Sequence, residues 1–138
     1  MNINEEKLNQ LLGKFVGDLG ATIHSGSVVI GAELGLYKAL AAAAEPVSSE
    51  QLAAKTDTNE RYVREWLNAQ AASGYVEYEQ TTGKYYLTDE QAFVLTDENS
   101  AAYLPGAFIL ANAALRAVPK MIERFKTGDG LGWHEHHH

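Results

Sequence analysis

The sequence predicts a mainly α-helical fold, a winged helix-turn-helix with a small β-hairpin wing, flanked by long N- and C-terminal helices. Three observations predict it. Two helical segments with capping signals follow one another within residues 47–74. A strand pair joined by a glycine turn comes directly after them. On both sides, longer segments repeat apolar residues at steps of three and four, the spacing of one helix face.

Residues 1–46 are predicted to form two helices. The first covers residues 4–20 and carries a seam like that of a coiled coil. Residues 22–26 are expected to loosen the chain, and the second helix is expected over residues 27–44, before Glu45-Pro46 ends it. The seam consists of Leu8, Leu12, Phe15 and Leu19, and the apolar face of the second helix consists of Ile30, Leu34, Tyr37 and Ala41.

Residues 47–88 are predicted to form the winged helix-turn-helix. Ser48 opens a short helix with the Ser-x-x-Gln spacing of a capping box. Asp57 or Thr58 is expected to cap the second helix, which Gly74 is expected to end. The apolar face of this second helix consists of Tyr62, Val63, Trp66, Leu67 and Ala71.

The wing is predicted from two short strand patterns. Residues 75–79 alternate between apolar and polar side chains, and residues 84–88 are rich in strand formers. Residues 80–83 form a turn that ends in glycine, so the two strands are expected to pair as a hairpin.

Residues 89–128 are predicted to be the C-terminal helices of the same domain. Thr88 again has capping-box spacing and opens a short helix. A long helix is expected to begin within residues 101–106, to kink at Pro119 and to end at Thr127-Gly128. Its seam consists of Phe108, Ala111, Leu115, Val118, Ile122 and Phe125.

The two seams offer more apolar surface than one small winged unit can cover. They either fold back on the unit or pair with a second copy across a two-fold axis, and we expect dimerisation helices and a homodimer. Gly13, Gly17 and Gly20 indicate either a closely approaching helix or simple local weakness of the first helix.

Composition excludes several classes of function. The net charge of −7 disfavours nucleic-acid and anionic-membrane binding, unless basic residues gather on one face. The absence of cysteine excludes disulfides, thiolate metal sites and cysteine nucleophiles. The N-terminus carries no targeting signal and no apolar run is long enough for a bilayer, so we expect a cytoplasmic protein without membrane contact.

The winged unit permits a DNA-binding interpretation, in which the second helix enters the major groove. Its charges oppose this, because acidic residues outnumber basic ones from Ser48 to Thr88. The residues that would contact DNA are Arg61, Arg64, Asn68 and Lys84.

The histidines do not predict a metal site. Residues 129–138 are interpreted as a flexible tail or a tag remnant, where nothing rigid holds ligand geometry. His24 is interpreted as a hydrogen-bonded residue at a helix junction and not as a catalytic base. No Ser/His/Asp set, carboxylate pair or phosphate loop is present, so no catalytic, metal or cofactor-binding residue is assigned. The terminal cluster consists of His134, Glu135, His136, His137 and His138.

Several segments together resemble a known module, the N-terminal winged-helix dimerisation domain of class I S-adenosylmethionine-dependent methyltransferases. The resemblance is to the small-molecule, O-methyltransferase-like kind, whose members are often labelled transcriptional regulators. It covers nearly the whole chain through the order and spacing of loose motifs. These motifs are IGAELGLYKAL at 30–40, VSSEQLA at 47–53, TNERYVREWL at 58–67, GYV at 74–76, YLT at 86–88 and GDGLGW at 128–133.

The resemblance implies a homodimeric accessory domain that covers the substrate of a methyltransferase. The catalytic Rossmann-like part is missing from these residues, so S-adenosylmethionine and the small-molecule methyl acceptor are expected to bind the longer parent enzyme. The alternative is a free-standing dimeric winged-helix DNA-binding regulator. The predicted acceptor-facing strip consists of Tyr103, Phe108, Asn112 and Arg116, against the alternative that Phe108 is core and the others are surface residues.

Overall fold

The computed structural model describes residues 1–135, which form seven α-helices and one two-stranded antiparallel hairpin. The mainly α-helical winged-helix prediction is confirmed. The elements are α1 (Glu5–Glu33), α2 (Leu36–Ala42), α3 (Ser49–Thr56), α4 (Glu60–Ser73), β1 (Glu77–Glu79), β2 (Lys84–Tyr86), α5 (Asp89–Thr96), α6 (Leu104–Arg116) and α7 (Val118–Thr127), with a 3-10 turn at Trp133–Glu135.

The helix starts follow the capping chemistry of the sequence, with one correction. Ser48 and Thr88 each form a complete capping box at the start of α3 and α5. The cap of α4 is Asn59, and not Asp57 or Thr58 as predicted, because the Asn59 side chain accepts hydrogen bonds from two amides of the first turn. Asp57 instead ends α3 with a φ of 52°, so it serves the turn between the helices.

The wing pairs as predicted but is shorter, with Tyr78 opposite Tyr85 in the register. Residues 87–88 leave the hairpin because Thr88 is already the cap of α5. A backbone bridge links Val47 to Tyr85 through N–H···O bonds of 2.9 and 2.8 Å. The wing is therefore fixed to the start of α3.

The predicted break in the N-terminal region at residues 22–26 is wrong, because α1 continues through it as one helix. The Thr22 and Ser27 hydroxyls donate to carbonyls of the preceding turn, both at 2.8 Å, and leave the helical backbone intact. The chain turns instead at Gly35, whose φ of 72° suits glycine and separates α1 from α2.

Moving the break also changes which side chains are buried. Ile30 and Leu34 remain about half exposed, whereas Leu36, Tyr37 and Leu40 enter the core. The apolar face predicted for a helix over residues 27–44 is therefore wrong in part, because the chain turns at Gly35. Ala41 and Tyr62, which the sequence places on apolar helix faces, are exposed.

The C-terminal helix is divided in two, with Ala117 between α6 and α7. Pro119 lies within the first two residues of α7, so the single long helix predicted to kink at this proline is instead two helices, with the break just before the proline. Gly128 ends α7 with a φ of 79°, as predicted. α6 lies along α1.

The core lies between the second half of α1, helices α2 to α5 and the wing. Its tightest point is Gly31, where an added Cβ would lie 2.3 Å from the Trp66 ring. At Gly13, Gly17 and Gly20 a Cβ would meet no described atom within 4 Å, so no other helix within residues 1–135 approaches there. The buried cluster consists of Val28, Leu36, Tyr37, Leu40, Val47, Leu52, Ala53, Val63, Trp66, Leu67, Val76, Tyr85 and Leu95.

Candidate functional site

A groove between α1 and α6 brings two of the predicted acceptor-facing residues together. Asn112 and Arg116 lie one turn apart on α6 and face the second half of α1. The groove has a volume of about 360 Å³. Its lining consists of Gly26, Val29, Glu33, Ile109, Asn112 and Arg116.

Asn112 is held in a fixed orientation. Its Nδ2 donates to Ser25 Oγ at 2.8 Å and to the Phe108 carbonyl at 2.7 Å. Both bonds use the amide nitrogen, so the side-chain oxygen is the acceptor that Asn112 can offer to a molecule in the groove.

The groove is lined by one positively charged side chain, Arg116, and one negatively charged side chain, Glu33. Within residues 1–135, neither Arg116 nor Glu33 forms an ion pair. Val29 and Ile109 supply apolar surface between them. The arrangement can therefore hold a flat or partly apolar molecule that offers a hydrogen-bond acceptor or an anion to the Arg116 guanidinium.

Tyr103 and Phe108 are not among the residues that line this groove. Phe108 is partly buried against the core, with its ring centroid 6.0 Å from that of His24. Tyr103 caps the start of α6, and burial raises the pKa of its hydroxyl. The structure thus unites Asn112 and Arg116 only, and an acceptor-facing role for the four residues stays a prediction.

His24 lies within α1 and packs between two aromatic rings, those of Tyr75 and Phe108. Its Nδ1 is 3.4 Å from Ser27 Oγ, and its buried Nε2 has no partner among the described residues. Burial lowers the pKa of His24. The ring is therefore held by packing more than by hydrogen bonds, and it is not at a helix junction as interpreted from the sequence.

The face that would read DNA is partly engaged within the domain. Arg64 Nη2 lies 3.6 Å from Glu60 Oε1, and the Tyr85 hydroxyl donates to Asn68 Oδ1 at 2.5 Å. Arg61 is exposed on the same helix, while Lys84 is half-buried in the wing. Two of the four candidate residues are thus paired inside the fold.

The described part of the terminal histidine cluster is engaged in a 3-10 turn. Glu135 accepts hydrogen bonds from Arg124 at 2.8 Å and from the Gly132 amide at 2.6 Å. Residues 136–138 lie outside the described part, and within residues 1–135 no three metal-ligating side chains converge.

No single helix within residues 1–135 has both the length and the apolar composition of a membrane span. Helices α1 and α2 meet that length and composition only when taken together, with a bend of 62° between them.

A second, apolar pocket was missed by the sequence reasoning. It has a volume of about 320 Å³ and lies where α1, α2 and the start of α4 meet. The signal that could have found it is the position of Ile30 and Leu34, which continue the spacing of the N-terminal seam. Its lining consists of Ile30, Leu34, Leu36, Thr58, Asn59, Tyr62, Val63 and Trp66.

The family profile described as the Rv2258c-like winged HTH domain matches residues 24–97, more than half of the chain. The chain belongs to this family. The match begins within α1 and ends directly after α5, so it contains the helix-turn-helix and the wing. The search of curated proteins found no match to this chain.

Solved structures share the fold of this winged HTH domain. Human N-acetylserotonin methyltransferase, solved with SAM, aligns with a TM-score of 0.70 at 18% identity, over 95% of this chain and 38% of its own. The mitomycin 7-O-methyltransferase MmcR aligns with a TM-score of 0.61 at 22% identity, over 91% and 34%. PigF, solved with SAH, aligns with a TM-score of 0.61 at 18% identity, over 98% and 39%.

The domain is much shorter than the proteins that it resembles. It spans 38%, 34% and 39% of the lengths of these three chains. At these identities the likeness shows the fold, and the activities named for those proteins are theirs.

Proposed function

We propose that this winged HTH domain is the N-terminal, dimer-forming and substrate-covering part of an S-adenosylmethionine-dependent methyltransferase. One observation carries the proposal. Proteins solved with SAM or SAH, a methyltransferase among them, match almost the entire chain in fold, while the chain spans little more than a third of their length. The remaining length is what a cofactor-binding catalytic domain requires.

The exposed apolar faces support a role in dimer formation. On α1 the seam residue Phe15 is 54% exposed, and on α7 Phe125 is 87% exposed. Apolar side chains of this size, repeated along a helix without a partner, are typical of an interface between subunits. A homodimer is the simplest assembly that covers the same face on both copies.

The groove between α1 and α6 supports the role in covering a substrate. It presents a cation at Arg116 and a fixed acceptor at Asn112 beside apolar walls. A domain that brings such a surface over a catalytic pocket would exclude water and orient the methyl acceptor.

The first experiment tests whether this chain is part of a longer polypeptide in its source cells. An antibody raised against the domain would reveal the native mass, and calorimetry would measure SAM binding by both forms. We expect a native polypeptide of more than about twice the mass of this chain, and SAM binding only by the longer form. A native mass equal to that of this chain, or SAM binding by the domain alone, would refute the proposal.

The second experiment tests the groove in the longer enzyme. Arg116→Ala is expected to raise the KM for the methyl acceptor while leaving the Kd for SAM unchanged. Lys55→Ala is the control, because it removes an exposed cationic side chain outside both the groove and the apolar pocket. Equal KM values for the methyl acceptor in the two variants would show that Arg116 does not contribute to acceptor binding.

A further inference from the structure

One exposed apolar stripe runs along almost the whole of α1. Its members lie within an arc of about 100° when each residue advances the helix by 100°. Exposed fractions range from 40% at Leu8 to 67% at Ile23. The stripe consists of Leu8, Leu12, Phe15, Leu19, Ile23, Ile30 and Leu34.

The two ends of the stripe differ in shape. The N-terminal end projects freely, since every residue from 1 to 23 is exposed. The C-terminal end opens into the apolar pocket, where Ile30 and Leu34 stand beside Trp66. One end therefore carries protruding side chains and the other a cavity that could receive them.

The stripe is also complementary to itself when reversed about Ala21. Reversal places Leu8 opposite Leu34, and it places Leu12 opposite Ile30. The largest side chain, Phe15, then falls opposite Ser27, next to Gly26. Gly26 is the point where the stripe lacks a side chain, and a Cβ built there meets no described atom within 4 Å.

Charges favour the same reversed arrangement. A parallel pair would bring the acidic first turn, Glu5 and Glu6, against its own copy. A reversed pair brings that turn to the first turn of α4, beside the apolar pocket. Arg61 is there, exposed and without an ion pair among the described residues, and the neighbouring Glu60 carboxylate is already engaged by the Ser49 hydroxyl at 2.7 Å and by Arg64.

We propose that two copies of this chain pair through antiparallel α1 helices, with Leu8 of each copy seated in the apolar pocket of the other. The inference rests on the proposed dimerisation and adds its orientation and register. It also places Phe15 of one copy over Gly26 of the other. Since Gly26 lines the α1–α6 groove, the acceptor-facing groove then has walls from both copies.

Cysteine cross-linking tests the register directly, because the chain contains no cysteine. The variants are Leu8→Cys, Leu34→Cys and the double variant, each oxidised mildly and run without reductant. Within one helix the two positions lie about 39 Å apart at 1.5 Å per residue, so they cannot bridge inside a copy. We expect covalent dimers from the double variant and from the mixed single variants, and none from either single variant alone.

Other cross-linking patterns separate failure of the register from failure of dimerisation. Sedimentation of the unmodified chain reports whether a dimer forms at all, and a monomer would overturn both proposals. A dimer in which Leu8→Cys cross-links alone would have parallel helices, and it would overturn the register while leaving dimerisation intact. A dimer that gives no cross-link in any variant would overturn the register as well.

Substitutions at the centre of the stripe give an independent test. Phe15→Ala and Gly26→Leu are both expected to weaken the dimer about 10- to 100-fold, by removing an aromatic anchor and by filling its space. The matched controls are Leu11→Ala and Gly13→Leu, exposed positions of the same helix outside the stripe. Equal dimer Kd values for the variants and their controls would refute the proposed contact.

Discussion

Replacing Gly31 by alanine tests the packing of α1 on the helix-turn-helix. The added Cβ would lie 2.3 Å from Trp66 Cζ2 and 2.7 Å from Tyr37 Cε2, closer than real Cβ contacts allow. Trp66 cannot move away without cost, because its Nε1 donates to the Ser27 carbonyl at 2.8 Å. The substitution therefore strains two aromatic rings of the core.

The expected magnitude follows from opposing effects. Overpacking a core typically costs about 1–3 kcal/mol, and a weakened Trp66 hydrogen bond adds about 1 kcal/mol. Alanine regains about 1 kcal/mol of helix propensity over glycine. We expect Gly31→Ala to lower the free energy of unfolding by about 1–3 kcal/mol.

The control is Gly17→Ala on the same helix, where an added Cβ meets no described atom within 4 Å. It should raise the free energy of unfolding by up to about 1 kcal/mol, so the two substitutions should have opposite signs. Urea unfolding at one protein concentration, followed by circular dichroism and tryptophan fluorescence, measures both. A Gly31→Ala variant as stable as Gly17→Ala would refute the close packing of Gly31 on Trp66.

Three further predictions concern a buried hydrogen-bond network, pH and DNA. Gln70 is fully buried and joins Tyr37 to Ser27 through bonds of 2.5 and 2.9 Å. Gln70→Leu should therefore destabilise the chain by about 2–4 kcal/mol, less in a Tyr37→Phe background, as urea unfolding would measure. Burial lowers the pKa of His24 below its ordinary value of 6.5, so the unfolded chain takes up this proton first as the pH falls. The free energy of unfolding should decline below about pH 6.5, and this decline should be smaller in His24→Gln when both are titrated. Fluorescence anisotropy with mixed-sequence duplex DNA should show no micromolar binding even at low salt, and binding that weakens steeply with salt would instead support the regulator alternative.

Local signals predicted most of the fold because each depends on a few neighbouring residues. The capping boxes at Ser48 and Thr88 fixed two helix starts, and Gly74 and Gly128 fixed two helix ends. These residue types act through hydrogen bonds and φ angles that are largely independent of distant contacts. They therefore hold when the rest of the fold is unknown.

The predictions were wrong where tertiary contacts, and not local sequence signals, determine the structure. Residues 22–26 contain small and polar side chains that predicted a break, yet Ser25 and Ser27 are held by bonds to Asn112 and Gln70 on other helices. Nothing local indicates such partners, which lie more than forty positions away in the sequence. The same limit applies to the groove, since Asn112 acquires its orientation only from α1.

The geometry of α1 explains why one helix can serve both the fold and an assembly. Its buried residues Ser25, Val28 and Gly31 lie on the side of the helix opposite the Leu8–Leu34 stripe, at 100° per residue. The core that α1 helps to form therefore leaves the stripe exposed. Because the stripe crosses from the free half of the helix onto the half that is packed on the domain, a partner bound along it would contact both. Dimerisation would then stabilise the projecting half and complete the groove in one step, so a loss of dimer affinity should lower acceptor affinity in the longer enzyme.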